Sequence, residues 1–309
     1  MNKALRPLAG RKKLTFETLV LKIRLAHKVI RRDSACLETR MDGAMALLFD
    51  VNDHIAVLTF NRPESMNAMD PQTYRELTEA WIEVRDNPDI WVAVITGANN
   101  PNRPPEKQAF CAGADLKAMS QNGGDEIWKF WQTQEGLLLN RGLEVWKPVV
   151  AAVNGFCLAG GMTLLFATDI RVASEHATFG ISEVKRGILP GNGGSQRAVR
   201  QLPYPLAMEM LLIGDHFSAA DALRMGLINK VVPAAELMTA AMDYARRLAA
   251  NAPLAVRAIK ELAVRSQYMH VQDGLRLETA VLSVLRQSED AKEGPRAFAE
   301  KRPAIFKGR

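Results

Sequence analysis

Short apolar runs alternate with amphipathic segments in the first part of this chain, and amphipathic segments alone follow. Residues 46–60 predict two short strands, and the β-branched run 149–153 predicts a buried strand. Pro71 is expected to begin a helix that Asp70 caps. Further helix starts are expected at Ser218, Pro233, Pro253, Val271 and Ser288. Strands alternating with helices, then helices alone, predict an α/β core followed by a helical region.

Two junctions of small residues stand out within this pattern. In KPVVAAVNGFCLAGGMT (147–163), a strand is followed by a turn and a helix that opens at Ala159-Gly160-Gly161. The first N–H groups of a helix lack partners inside it, and glycine allows an oxygen atom to approach them. An oxyanion or simple close packing accounts for such residues equally well. A second junction lies at 109–116, where Asp115 is expected to cap the next turn, and residues 125–145 have a helical pattern.

Composition is that of an ordinary globular protein, with 48% hydrophobic and 24% charged residues in 309. The three cysteines have no CxxC spacing, so neither a disulfide framework nor a zinc site is indicated, and a reducing compartment is expected. The apolar stretch 149–167 is interrupted by Asn154, Thr163 and several glycines, so we predict no membrane span.

The positive charge is concentrated at the N-terminus. Residues 1–42 contain eleven basic and four acidic residues, whereas the remainder contains 29 basic and 30 acidic residues. The body therefore carries no electrostatic signature of nucleic-acid binding. We interpret residues 1–45 as a basic extension without a catalytic role. A surface-binding arm and an organelle transit peptide are the alternatives, so the expected location is the cytoplasm or, with a transit peptide, an organelle matrix.

Few residues outside the junctions indicate chemistry. Glu183 is expected in a loop after a strand, where catalytic groups are often placed. Cys111 and Cys157 lie inside the junctions, and we interpret them as small packing residues. The five histidines form no HxxxH or HxH pair, so no metal site is predicted. The glycines at 191–194 match no nucleotide-binding fingerprint.

Several ordered blocks together resemble the crotonase superfamily, the enoyl-CoA hydratases and isomerases. They are NRPESMNAMD (61–70), AFCAGADL (109–116), KPVVAAVNGFCLAGGMTL (147–164), DIRVAS (169–174), ATFGISEVKRGILPGNGGSQR (177–197) and EGPRAFAEKRPAIF (293–306). The resemblance implies an α/β fold, with a spiral core of ββα units over 46–232 and a C-terminal helical trimerisation region over 233–309. It also implies an acyl-CoA thioester substrate, no separate cofactor, and a homotrimer or a dimer of trimers.

The resemblance also implies roles for individual residues. The thioester carbonyl of such enzymes sits between two backbone N–H groups, which here fall on Ala114 and Gly160. Glu183 is implied as general acid/base, and Thr163 as a residue that assists water or packing. The implied substrate contacts are Ala68, Ala112, Asp115, Lys117 and Gly161, together with Phe298 and Lys301 from a neighbouring subunit.

One position departs from the family pattern. Two-acid hydratases carry a glutamate three residues after the second oxyanion glycine, and here that position is Thr163. Threonine orients water but does not take up a proton near neutral pH. Hydration with one glutamate and double-bond isomerisation therefore both remain open. Hydration with cleavage, hydrolysis of a special acyl-CoA, and binding without catalysis are the further alternatives. The loop 98–108 is longer than usual and is expected to reshape the pocket mouth.

Overall fold

The computed structural model describes residues 45–115, 117–118 and 138–309, and the strands in these ranges form two sheets. The strands are β1 (Leu47–Asn52), β2 (Ile55–Phe60), β3 (Val92–Gly97), β4 (Ala109–Cys111), β5 (Val149–Val153), β6 (Phe156–Leu158), β7 (Ile170–Ser174), β8 (Thr178–Gly180), β9 (Phe217–Ser218) and β10 (Lys230–Val232). The large sheet has the order β1-β2-β3-β5-β7-β10, and the small sheet has the order β4-β6-β8-β9.

Successive strands are shared between the two sheets in a regular way. Strands β3, β5 and β7 enter the large sheet, and the strand that follows each of them, β4, β6 and β8, enters the small sheet. All neighbours among these six strands are parallel. A helix follows β6 and another follows β8, so the chain winds through β-β-α turns, which confirms the predicted α/β spiral.

The hairpin at the start of the chain has the tightest connection. Strands β1 and β2 are antiparallel, and Asn52 pairs with Ile55. The two loop residues, Asp53 and His54, both have positive φ, at 46° and 66°. This is what a two-residue hairpin loop requires, because its twist then matches that of the strands. The two short strands predicted over 46–60 are thus confirmed, and the loop between them is Asp53-His54.

The large sheet is buried on both faces, because its side chains alternate between two apolar clusters. In β5, Val149, Ala151 and Val153 face the larger cluster, while Val150 and Ala152 face the other. A strand buried on both sides needs apolar residues at every position. This explains the unbroken VVAAV run.

The helices lie around these sheets. They are α1 (Pro71–Asp86), α2 (Gly160–Leu165), α3 (Gly194–Gln201), α4 (Tyr204–Ile213), α5 (Ala219–Arg224), α6 (Leu237–Ala249), α7 (Pro253–Ser266), α8 (Val271–Leu285) and α9 (Glu289–Ala299). The predicted cap of α1 is confirmed, since the Asp70 side chain accepts from the Thr73 N–H. The caps predicted at Ser218 and Ser288 are present as well.

The C-terminal helices differ in how they pack. Leu237, Ala241 and Ala245 of α6 are buried against the second cluster of the large sheet. Helices α7 and α8 instead expose large apolar side chains such as Ile259, Val271 and Val284. In the described ranges, no helix is long and apolar enough to cross a membrane.

One predicted helix is wrong over its last part. Residues 138–142 form a tight turn with isolated bridges between Leu138 and Arg141 and between Leu138 and Gly142, and 143–146 have no regular structure. The remainder of that prediction, up to residue 137, and the extension 1–44 lie outside the described residues.

Candidate active site

Three of the predicted site residues follow neighbouring parallel strands of the small sheet. Ala114 comes three residues after the end of β4, Gly160 two residues after β6, and Glu183 three residues after β8. The carboxyl ends of adjacent parallel strands lie at the same edge of a sheet, which is where ligands bind in open parallel sheets. The small sheet therefore brings Ala114, Gly160 and Glu183 to one edge.

The backbone pairing around Ala114 leaves its amide with no hydrogen-bond partner among the described residues. Ala114 forms a parallel bridge with Met69. The bonds of that bridge join the Met69 N–H to the Gly113 carbonyl (2.8 Å) and the Asp115 N–H to the Met69 carbonyl (2.9 Å). In a parallel ladder these bonds use the residues on either side, so the N–H of Ala114 itself points away from Met69.

The Gly160 amide lies beside it. The first intrahelical bond of α2 runs from Thr163 N–H to the Ala159 carbonyl (3.0 Å), so the Gly160 N–H has no acceptor in its helix. A Cβ atom built on Gly113 would lie 3.0 Å from the Gly160 nitrogen, and one built on Gly160 would lie 3.5 Å from the Ala114 nitrogen. The two donors thus border the same small space, and side chains at these glycines would fill it.

Backbone strain accompanies the Gly160 donor. Ala159 has φ 49° and ψ −117°, a conformation that residues with a Cβ rarely adopt. Its N–H donates to the Gly180 carbonyl (2.9 Å), which fixes the start of α2 against the end of β8. Such strain costs on the order of 1–3 kcal/mol and is typical of functional sites.

Glu183 begins a short 3-10 turn, Glu183–Arg186, directly after β8. The residue is only 8% exposed, and its Oε2 atom has no hydrogen-bond partner among the described residues. Burial raises the pKa of this carboxyl above its ordinary value, while its backbone N–H and Arg186 oppose the shift. A carboxyl in this state exchanges protons more readily near neutral pH than an exposed glutamate does.

Thr163 and Gly161 have different environments. The Thr163 side chain is buried, and its hydroxyl donates to the Gly160 carbonyl (3.0 Å) and accepts from Asn140 Nδ2 (3.1 Å). At Gly161, an added Cβ would overlap the carbonyl oxygen of Cys111. Gly161 therefore permits close packing of α2 on β4, which is the structural alternative to the substrate contact predicted for it.

The predicted contacts near Ala114 are joined by Arg62. Its guanidinium donates to the Ala68 carbonyl (2.6 Å) and to Asp115 (3.1 Å). Asp115 Oδ1 accepts from Ala118 N–H (3.2 Å), so the cap predicted at this residue is confirmed. The pKa of Asp115 is lowered, first by this bond and further by Arg62. Ala112 is held through its N–H by the Met66 carbonyl (3.1 Å).

Other predicted contact residues lie at the surface. Lys117 is exposed in the turn after Asp115. Phe298 is 87% exposed at the end of α9, and Lys301 follows it with φ 55°. Within the described residues, no hydrogen bond or ion pair joins Phe298 or Lys301 to the edge that carries Ala114, Gly160 and Glu183.

Cys111 and Cys157 are packing residues, as their positions in the sequence indicate. They pair with each other in the register of β4 and β6, and both are fully buried. Burial raises the pKa of the Cys111 thiol to about 12 and also raises that of Cys157. Both thiols are therefore protonated at neutral pH and are poor nucleophiles.

Three polar residues of this region were not singled out in the sequence. They are Arg62, which contacts both Ala68 and Asp115, Asn140, which contacts Thr163, and Arg197, which donates to the Asn140 and Asn192 carbonyls. Arg62 lies within the block 61–70 that resembles the family, so its position in the sequence could have indicated a role at the site. Asn140 lies outside every quoted block, seven residues before the one that begins at Lys147, and carried no such signal.

Comparisons with known proteins identify the family of this chain. Residues 50–309 match the family described as Enoyl-CoA hydratase/isomerase. The chain is 40% identical to an (E)-benzylidenesuccinyl-CoA hydratase of Thauera aromatica over 264 residues, which cover 85% of this chain and all of that protein. It is also 40% identical to a carnitinyl-CoA dehydratase of Salmonella paratyphi A, over 84% of this chain and 97% of the relative.

Solved structures agree as well. A crystal structure of an enoyl-CoA hydratase from Mycobacterium tuberculosis matches with a TM-score of 0.77 and 34% identity, and the match covers 86% of this chain and all of that one. A structure from Bacillus anthracis with the same description matches at 30% identity with a TM-score of 0.77, over 85% of this chain. The chain therefore belongs to the enoyl-CoA hydratase/isomerase family, as its sequence blocks predict.

Proposed function

We propose that this protein adds water to, or removes it from, an acyl-CoA thioester, with Glu183 as its acid/base. The observation that carries the proposal is the convergence of the Ala114 and Gly160 amides, which have no hydrogen-bond partner among the described residues, with one buried carboxyl at the same sheet edge. Relatives named as a hydratase and a dehydratase support this direction of chemistry.

The two amides bind the thioester oxygen. As negative charge develops on that oxygen, each aligned donor stabilises the enolate by about 3 kcal/mol. The same charge makes the hydrogens of the α carbon acidic, because the electrons of the broken C–H bond are delocalised onto the oxygen. Glu183 then moves the proton. CoA arrives as part of the substrate, and Ala68, Ala112, Asp115, Lys117 and Gly161 form its proposed surroundings.

Isomerisation of a 3-enoyl to a 2-enoyl thioester is the second candidate. It needs the same enolate and one base, but no water. The presence of Thr163 where two-acid hydratases carry a glutamate favours it, since a single carboxyl suffices to move a proton between carbons.

Subunit assembly is part of the proposal. We place Phe298 and Lys301 at the CoA moiety bound by a neighbouring subunit of a homotrimer or of a dimer of trimers. The exposed Phe298 ring and the exposed apolar faces of α7 and α8 support this assignment. The protein's mass in solution tests it.

The test of the proposed chemistry is a product analysis by mass, with chromatographic separation of double-bond isomers, over crotonyl-CoA, a 3-enoyl-CoA, a 3-hydroxyacyl-CoA and an aromatic 2-enoyl-CoA. We expect a mass gain of one water from crotonyl-CoA and the aromatic 2-enoyl-CoA, whose double bonds are conjugated with the thioester. The Glu183→Gln variant should lower kcat at least about a hundredfold, because the amide cannot accept the proton. An unchanged rate would remove Glu183 from the mechanism, and a shifted double bond without added water would select isomerisation.

A further inference from the structure

Asn140 is a buried polar residue that the mechanism so far does not use. It lies in the turn before β5 and is 5% exposed. Its Nδ2 donates to Thr163 Oγ1 (3.1 Å), whereas its Oδ1 is buried with no hydrogen-bond partner among the described residues. A buried acceptor without a hydrogen bond costs about 1–3 kcal/mol of stability. Such an atom beside an active site is explained by a water molecule or ligand that binds there.

The hydrogen-bond inventory of Thr163 fixes what that partner is. The hydroxyl has one proton, which it gives to the Gly160 carbonyl (3.0 Å), and one of its two lone pairs accepts from Asn140. One lone pair remains. Asn140 Oδ1 and Thr163 Oγ1 therefore each offer a lone pair to a guest, and the second N–H of Asn140 Nδ2 is a further donor beside them. A water molecule, which both donates and accepts, fits this set.

Contacts on both sides connect this pair to the candidate active site. The Gly160 carbonyl accepts the hydrogen bond of the Thr163 hydroxyl, and the Gly160 N–H lies beside the Ala114 amide. A Cβ built on Gly194 would lie 2.8 Å from Thr163 Cγ2, so the first residue of α3 packs against this threonine. Arg197 Nη1 joins the loop before α3 to the turn of Asn140, because it donates to the carbonyls of Asn192 (3.0 Å) and Asn140 (3.1 Å).

We infer, on the basis of the proposed function, that Asn140 Oδ1 and Thr163 Oγ1 bind the water that adds to the β carbon. The Glu183 carboxylate takes one proton of this water while the water oxygen forms its bond to the β carbon, and the π electrons pass to the thioester as an enolate. The second hydrogen stays on the oxygen and is donated to the Asn140–Thr163 pair. Glutamic acid 183 then returns its proton to the α carbon, so that one water has been added across the double bond.

The test compares two rates in each variant. The first is hydration of crotonyl-CoA, and the second is exchange of the α hydrogens of butyryl-CoA with deuterated water, followed by mass. Exchange needs the amides and Glu183 but no water at the β carbon. Asn140→Leu removes both polar atoms and should lower the ratio of hydration to exchange about tenfold, because the loss of one hydrogen bond to the water raises the barrier by about 1.4 kcal/mol. The change should appear in kcat rather than in KM.

Two further variants sharpen this result. Thr163→Val should lower the same ratio, and the double variant should lose little more than the worse single one, because the pair acts as a unit. Asn140→Asp keeps an acceptor and should restore the ratio to within about threefold of the wild type.

Asn154→Leu is the matched control. Asn154 is buried, and its Oδ1 also has no hydrogen-bond partner within the described part of the chain. Its Nδ2 donates to the Gly97 carbonyl (2.9 Å) and to Asn99 Oδ1 (2.7 Å), and not to Thr163. This variant should leave the ratio unchanged, even if its folded fraction falls.

The outcomes separate this inference from the proposed function. A ratio that stays constant in Asn140→Leu and Thr163→Val, or that falls equally in Asn154→Leu, overturns the inference and leaves hydration standing. A wild type that exchanges the α hydrogens but adds no water also overturns it, and retains the enolate step. A wild type that does neither overturns the proposed function itself.

Discussion

The Gly160→Ala variant tests the two-donor arrangement most directly. The methyl group of alanine would lie 3.5 Å from the Ala114 nitrogen and 3.3 Å from Gly113 Cα, in the space that borders both amides. A thioester oxygen needs about 2.9 Å to each nitrogen, so the methyl group competes with it for the same volume. Loss of one oxyanion donor costs about 3 kcal/mol, which corresponds to a fall in kcat of about a hundredfold or more.

The cost in stability should be small. The nearest atom to the new methyl group is Met69 Cε at 2.9 Å, the far end of a flexible side chain that adjusts with little strain. We therefore expect a change in the free energy of unfolding within about 1 kcal/mol, measured by urea denaturation. Steady-state hydration of crotonyl-CoA and α-hydrogen exchange should both fall, because both pass through the enolate.

Gly161→Ala provides the contrast. Its methyl group would overlap the Cys111 carbonyl oxygen, which is backbone and cannot give way cheaply. The expected loss is about 1–3 kcal/mol of stability. If Gly160→Ala kept its wild-type kcat, or lost stability as Gly161→Ala does, the amide of Gly160 would not be an oxyanion donor and the reasoning would fail.

Two further predictions concern pH. Burial raises the folded pKa of Glu183 above its unfolded value, so stability is lost as pH rises through the folded pKa. Glu183→Gln should therefore be more stable than the wild type at about pH 8 and lose that advantage toward about pH 4 in urea denaturation, and an equal difference at both pH values would contradict the shift. Glu293 is the opposite case, because Arg302, the Ile305 N–H and Arg296 lower its pKa. Glu293→Gln should be less stable than the wild type at neutral pH, and the difference should vanish as pH falls below the ordinary range of glutamate; a deficit that persists in acid would refute this.

Local signals in the sequence correctly predicted the strands in 46–60 and 149–153 and most of the helix starts. The unbroken apolar run 149–153 identified a strand buried on both faces, and Asp70 before Pro71 identified a helix cap, because each of these depends on neighbouring residues alone. The error at 138–145 has a physical cause. The apolar residues Leu138, Leu139, Leu143 and Val145 are all buried, but in a turn and an irregular segment rather than in a helix. A periodic apolar pattern indicates which residues are buried, but a helix, a turn and an irregular segment can each bury residues at that spacing.

The roles of Ala114, Gly160 and Glu183 were predicted from blocks of sequence, and the structure adds why these residues are placed together. Each follows a different strand of the small sheet, and the parallel pairing of those strands sets them at one edge. That pairing is a long-range contact, which no local pattern encodes. The same holds for the direction of the Ala114 amide, which is set by the bridge to Met69, 45 positions earlier in the chain.

The sequence by itself determined the family, most of the helix starts and the choice of Glu183 as the candidate acid/base, because contiguous blocks and local propensity carry this information. Only the tertiary structure decided the state of that carboxyl, since the pKa of Glu183 depends on what buries it. It alone paired Asn140 with Thr163 across 23 positions of the chain. Side-chain hydrogen bonds of this kind form after folding has chosen which segments meet, and that choice rests on the packing of the whole core.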